Sequence, residues 1–275
     1  MGFARRSGKR LYWRLEGASD RPVLLLLHPL GSDLNSWDLA LPWLTRRLRV
    51  LRMDFTGHGA SDVQPGDHSL QSLADDVVAV MDASSISRAA ICGLSLGGMV
   101  AMSLAQSTPE RVSALVCACT SARMDGKLWA ERIATIRSQG LAAVADAALQ
   151  RYFSPAFAQA HPEITGTIRT ALLGMDAEGY AGCAAAIRDM DLIPRLGQIR
   201  APTLVISGQY DVSTPLRGHG EHLLAGIAGA EGCELPAAHF AALETPEAFA
   251  NAVCAFVDGP RSATASGGIE ESQRA

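Results

Sequence analysis

Basic residues are not in excess in this chain: 24 Lys and Arg stand against 28 Asp and Glu, for a net charge of −4. That balance leaves no electrostatic footprint for nucleic acid or an anionic membrane. The stretch "RRLR" at 46–49 reads as the solvated end of a helix. No apolar run approaches the ~18 residues of a membrane span. The opening "MGFARRSGKRLYW" is basic with no apolar segment behind it, so it does not read as a secretory signal. Arg6 stands where a myristoylation pattern requires Ser or Thr. The six cysteines (92, 117, 119, 183, 233 and 254) lack zinc-ligand spacing and sit in apolar runs, which reads as reduced, buried thiols in a cytoplasmic protein. Neither G-x-G-x-x-G nor a P-loop follows a strand-like run, which argues against nucleotide binding. No metal or cofactor is expected, and the expected partner is a small molecule, with no nucleic acid or membrane.

What is present is a large apolar fraction, 48% of 275 residues, enough for one large domain or a core with an insertion. Strand-like runs alternate with helix-period segments, the pattern of a mostly parallel α/β sheet flanked by helices. "VLLLLH" (23–28) is apolar throughout, as a strand buried on both faces should be. "RVLRMD" (49–54), "RAAICG" (88–93), "VSALVCAC" (112–119) and "PTLVISG" (202–208) repeat it. "LYWRLEG" (11–17) alternates and reads as an early antiparallel strand, and "CELPA" (233–237) as a short last one. A helix is predicted over 69–83, with Leu70, Leu73, Val77, Val80 and Met81 on one face. Another follows Ser95, and a third starts at "TPEAF" with Thr245 as N-cap and Pro246 in the first turn. The alanine-rich stretch 122–192 contains several helical patterns and no strand. It is expected to be a helical cap inserted into a core of 1–121 and 193–260. The tail 261–275 lacks apolar anchors and is expected to be disordered.

The chemistry is concentrated in "CGLSLGGM" (92–99). A strand ending at Gly93 and a helix starting near Leu96 leave Ser95 on a tight turn. Gly93, Ser95 and Gly97 fit G-x-S-x-G, the nucleophile elbow. A serine hydroxyl is a weak nucleophile and needs a base with a group to orient it. "QYDVSTP" places Asp211 just past one predicted strand, and His239 follows another. The order Ser95, Asp211, His239 is that of the α/β-hydrolase triad. Other candidates are weaker. His219 and His222 fall three apart on one predicted helix without a third metal ligand. His58 reads as a loop residue, and His68 and His161 as exposed. Asp125 follows an earlier strand but lies far into the inserted stretch. For the oxyanion, the N–H groups of Leu96 and Leu30 are expected, since Pro29 has none to offer.

These motifs, with "HPLGSDLNSWDLALPWL", "GHGASD", "ICGLSLGGMVAMSLA", "PERV", "RIATIRSQGLAAVADAALQRYF", "GYAGCAAAIRDMDL" and "AAHFAALETPEAF", make the chain resemble bacterial 3-oxoadipate enol-lactonases of the α/β-hydrolase superfamily. The resemblance runs from about residue 11 to 257. It implies a cofactor-free hydrolysis of an enol-lactone to 3-oxoadipate in the protocatechuate branch of aromatic catabolism, through an acyl-enzyme on Ser95. Two departures stand out: Thr56 replaces the arginine common before the GHG turn, which puts loop anchoring in question, and "HPLG" replaces the usual His-Gly pair.

A carboxylated substrate calls for a cation. Trp129 and Arg132, three apart, could share a helix face towards the site, or be a packing residue and a solvated one. A general carboxylesterase, another lactonase or a perhydrolase would use the same scaffold. A haloalkane dehalogenase would need an aspartate at position 95. A ligand receptor on a hydrolase fold is the alternative of another class.

Overall fold

The computed structural model describes residues 1–258; the tail at 261–275 lies outside the described residues. Eight strands form one sheet: β1 (Gly2–Arg6), β2 (Lys9–Glu16), β3 (Val23–Leu27), β4 (Arg49–Met53), β5 (Ala89–Leu94), β6 (Val112–Ala118), β7 (Thr203–Gly208) and β8 (Glu231–Leu235). Their order across the sheet is β1-β2-β4-β3-β5-β6-β7-β8. The β1–β2 and β2–β4 pairs are antiparallel and the rest parallel. The first strand was not expected from the sequence. Ser7 and Gly8 both take positive φ, 50° and 80°, the geometry of a two-residue hairpin turn, and they fold the arginine-rich segment onto the sheet edge. The last strand starts two residues before the expected position.

The helices are α1 (Leu41–Leu44), α2 (Leu70–Ala83), α3 (Leu96–Ser107), α4 (Gly126–Gln139), α5 (Ala142–Tyr152), α6 (Pro155–Ala160), α7 (Pro162–Leu173), α8 (Ala177–Arg188), α9 (Glu221–Gly226), α10 (Ala241–Glu244) and α11 (Pro246–Asp258). Side chains alternate across a strand, so β3 feeds two cores. Leu25 and Leu27 join α2 and α3 on one side, while Leu24 and Leu26 join α1 and α11 on the other. Helix α2 buries the predicted face, and Ser69 caps it by accepting from the Ser72 N–H while the Ser72 hydroxyl accepts from the Ser69 N–H. At α11 the Thr245 hydroxyl donates to the Ala241 carbonyl, 3.0 Å away. Of the cysteines, Cys233 is only partly buried, and all six are free.

Helices α4 to α8 lie between β6 and β7 as one insertion. Its two ends meet: Arg123 and Asp191 form an antiparallel bridge, and the Leu192 N–H donates to the Ala122 carbonyl at 2.8 Å. The insertion touches the core at the GHG turn, where a Cβ on Gly57 (φ +73°) would collide with the backbone of Gly179 in α8. Only glycine permits that contact of two backbones.

Candidate active site

Strand β5 delivers Ser95 at its C-terminal end, with φ 54° and ψ −116°. A residue with a Cβ rarely adopts this conformation. The neighbouring backbone holds it: the Ser95 N–H donates to the Ala118 carbonyl at 3.0 Å, and the Thr120 hydroxyl donates to the Ser95 carbonyl at 2.7 Å. The flanking glycines make room rather than bend the backbone. Gly93 and Gly97 have ordinary φ. A Cβ on Gly93 would strike the Gly97 backbone, one on Gly97 would strike the Leu27 carbonyl, and one on Gly98 would lie 2.7 Å from the Thr120 side chain. The strain sits on the serine, and the glycines let the helix close onto the sheet beside it.

Asp211 and His239 come from the loops after β7 and β8. These loops are zipped together: the Gln209 and Tyr210 N–H groups donate to the Leu235 and Ala237 carbonyls at 2.8 and 2.9 Å. His239 Nδ1 meets Asp211 Oδ2 at 2.9 Å. The other carboxylate oxygen of Asp211 accepts the N–H groups of Ser213 and Thr214 at 2.7 and 3.1 Å, and the Thr214 hydroxyl donates to Oδ2 at 2.9 Å. Burial alone would raise this carboxyl, but the facing His239 and these donors outweigh it and hold it at about 2. With Nδ1 engaged, Nε2 is the ring nitrogen left for a proton transfer. Ser95 and His239 line one cavity of about 200 Å³. The Ser95 hydroxyl has no hydrogen-bond partner among the described residues.

The turn after β3 supplies a donor. His28 Nδ1 donates to the Pro29 carbonyl at 2.8 Å, and its Nε2 accepts the Phe55 N–H at 3.0 Å. His58 Nδ1 donates to the Thr56 carbonyl at 3.0 Å, and its Nε2 accepts the Gly31 N–H at 3.3 Å. Burial pushes both imidazoles down, His58 to about 3. Both are therefore neutral acceptors at Nε2. Pro29 has no N–H and Gly31 spends its own, so Leu30 keeps the uncommitted donor of this turn. Leu96 heads α3, where helix N–H groups lack intrahelical partners. Thr56 leaves the loop anchored: its hydroxyl donates to the Asp62 carbonyl at 3.0 Å, and Asp54 accepts from Leu34 and Ala60.

Two sequence expectations are corrected, those on His68 and on the helix shared by His219 and His222. His68 is buried rather than exposed, packed where α8 carries Gly182, and burial lowers it. His161 is exposed. His219 and His222 do not share one helix: His219 lies in a kinked segment before α9 and pairs with the Ser121 hydroxyl at 2.9 Å. Among the described residues no three His, Cys, Asp or Glu side chains come together as a metal site. Asp125 caps α4 by accepting from the Lys127 and Leu128 N–H groups.

Trp129 and Arg132 do share a face of α4. The guanidinium lies 4.3 Å from the indole ring centre, and both line the cavity. Sequence reasoning missed Arg151, Tyr152 and Tyr180 on the same wall. It also missed Thr214, although an Asp followed by Ser-Thr-Pro is a recognisable side-chain-to-backbone turn. Tyr152 joins three parts of the site. Its hydroxyl donates to the Leu30 carbonyl at 3.1 Å, its carbonyl accepts the Phe240 N–H at 3.0 Å, and its ring stacks on His239 at 6.1 Å.

Known proteins resemble this chain in sequence and in fold. The alpha/beta hydrolase fold family matches residues 22–246. The chain is 35% identical over 238 residues to 3-oxoadipate enol-lactonase 2 of Acinetobacter baylyi, covering 86% of this chain and 89% of the relative. It superposes on the crystal structure of the enol-lactonase from Burkholderia xenovorans with a TM-score of 0.90 at 35% identity, covering 93% of this chain and 99% of the other. A hydrolase from Pseudomonas aeruginosa matches with a TM-score of 0.89 at 42% identity over 93% of this chain and 97% of that one.

Proposed function

The chain belongs to the alpha/beta hydrolase fold family, and from that premise we propose that it is a serine hydrolase that opens a small carboxylated lactone. The narrowest substrate is 3-oxoadipate enol-lactone, the compound for which the Acinetobacter relative is named; the Burkholderia protein is named as an enol-lactonase. The observation that carries the reading is the His239–Asp211 contact of 2.9 Å beside a serine held at positive φ in the same cavity.

In this reading Ser95, His239 and Asp211 form the catalytic triad. His239 Nε2 takes the proton of the Ser95 hydroxyl as its oxygen bonds to the lactone carbonyl. Hydrogen bonds of this kind are often long in the free enzyme and tighten with substrate. The Leu30 and Leu96 N–H groups stabilise the oxyanion, each worth roughly 2.7–4 kcal/mol to the barrier. Collapse breaks the ring C–O bond, and the leaving enolate takes the proton from His239 and becomes a ketone. Water, losing a proton to His239, then attacks the acyl carbon, and Ser95 leaves with that proton. Asp211 keeps the imidazole in the Nδ1–H tautomer throughout.

Segment 122–192 acts as the cap over the site, with the core formed by 1–121 and 193–258. A cavity of about 200 Å³ is smaller than the roughly 300–1,000 Å³ of drug-sized pockets, which favours a compact substrate. Trp129 and Arg132 supply an apolar wall and a cation for its carboxylate. Lactone turnover of this kind belongs in the cytoplasm, within aromatic catabolism.

The test is a spectrophotometric assay of freshly generated enol-lactone beside simple p-nitrophenyl esters. A strong lactone preference, lost in Ser95→Ala, is expected. A preference for the simple esters would make the protein a general esterase.

A further inference from the structure

The inserted stretch 122–192 carries six arginines, and their partners divide them sharply. Arg123 pairs with Asp191, Arg137 with Asp67 and Glu178, Arg169 with Asp146, and Arg188 with Asp67 and Asp189. Arg132 and Arg151 pair with no carboxylate among the described residues. These two are also the arginines that line the cavity containing Ser95 and His239, and both are partly buried. A charge withdrawn from water without a counter-charge is costly. Here two like charges share one small space: burial lowers Arg151 first, and the charge of Arg132 lowers it further.

The Arg132 side chain is held by its neighbours. Arg132 lies over the Trp129 ring and beside the Tyr180 hydroxyl, while Arg151 sits in the last turn of α5, next to Tyr152. The one acidic side chain on the cavity wall, Asp125, is exposed and has an oxygen committed to the start of α4. A planar guanidinium suits bidentate capture of a carboxylate. A carboxylate between the two arginines would cancel one of their two positive charges and weaken their mutual repulsion, which a neutral ligand cannot do.

We propose that Arg132 and Arg151 form a two-arginine clamp for the carboxylate on a short arm of the substrate, whose reacting carbonyl lies at Ser95. This rests on the reading of Ser95 as nucleophile and of the substrate as one that carries a carboxylate. Arg151 is the new element. It turns a single point of attraction into a fork that fixes where the arm, and hence the ring, must lie.

The experiment compares kcat/KM for the p-nitrophenyl monoester of glutaric acid with that for p-nitrophenyl butyrate. The readout is the ratio of the two in wild type, Arg151→Met, Arg151→Lys and Arg132→Met. The ratio is expected to fall about tenfold or more in each Met variant, with part of the loss restored in Arg151→Lys. An unchanged ratio in Arg151→Met overturns the clamp, whatever the absolute rates. Wild type alone gives a second measure, independent of how the variants fold. Glutarate should inhibit at least tenfold more tightly than glutaramide, and rising salt should erase the difference; equal inhibition overturns the proposal. Ser95→Ala, which should stop turnover of both esters, tests the nucleophile separately, so the two readings fail independently.

Discussion

Replacing Ser95 by glycine should abolish turnover and yet leave a protein more stable than the alanine variant. Ser95 sits at φ 54°, ψ −116°, and a side chain confined to so sparse a region costs about 1–3 kcal/mol. The elbow cannot relax, because Ala118 and Thr120 hold both ends of the Ser95 peptide unit. Glycine escapes the strain but adds freedom to the unfolded chain, an opposing effect of roughly 0.5–1 kcal/mol. Taking the middle of each range, the difference is a gain of about 1 kcal/mol for Ser95→Gly over Ser95→Ala, a factor of roughly 5–10 in the folded-to-unfolded ratio. Both variants lack the hydroxyl, so the comparison isolates the backbone. Equilibrium urea unfolding of the two, followed by tryptophan fluorescence, measures it. A midpoint for the glycine variant equal to or below that of the alanine variant would refute the claim that the elbow stores strain at position 95.

Asp211→Asn should reduce turnover on the order of 10⁴-fold, because an amide no longer fixes the histidine tautomer. It should also flatten the acid limb of stability. The Asp211 carboxyl is depressed from 3.8 to about 2, so it stabilises the fold above pH ~4 and that contribution is lost as pH falls towards 2; urea midpoints across this range should converge with those of the variant. Tyr152→Phe removes one hydrogen bond to the Leu30 carbonyl while keeping the ring over His239. A loss near 1 kcal/mol predicts about a fivefold lower kcat with KM little changed, and steady-state kinetics that move only KM would count against Tyr152 as a positioning residue of the oxyanion turn.

Much of the architecture can be read directly along the chain because its causes are local. The unbroken run at 23–27 has to be buried on both faces, and it is. The apolar spacing at 70–81 makes one helix face, and Ser69 caps it. The elbow around Ser95 and the order of Asp211 and His239 follow from turn chemistry at strand ends. The edge strand at 2–6 was not legible, because its charged residues carry no apolar alternation and its turn rests on a Ser-Gly pair. His68 misled for a related reason: a polar residue in a polar loop gives no sign that α8 will pack over it.

By itself, the sequence determined the layered sheet and pointed to a helical insertion and to a candidate nucleophile, base and acid, since periodicity and turn-forming residues act over a few positions. Only the tertiary structure decided which groups meet. Gly97 must be glycine because the Leu27 carbonyl occupies its Cβ position. Leu30 keeps its donor because His58 takes that of Gly31. Arg132 and Arg151 face the cavity without carboxylates while the other arginines of the insertion have them. Each of these depends on segments far apart in the chain whose approach is set by the packing of helices on the sheet, and no window of sequence contains that information.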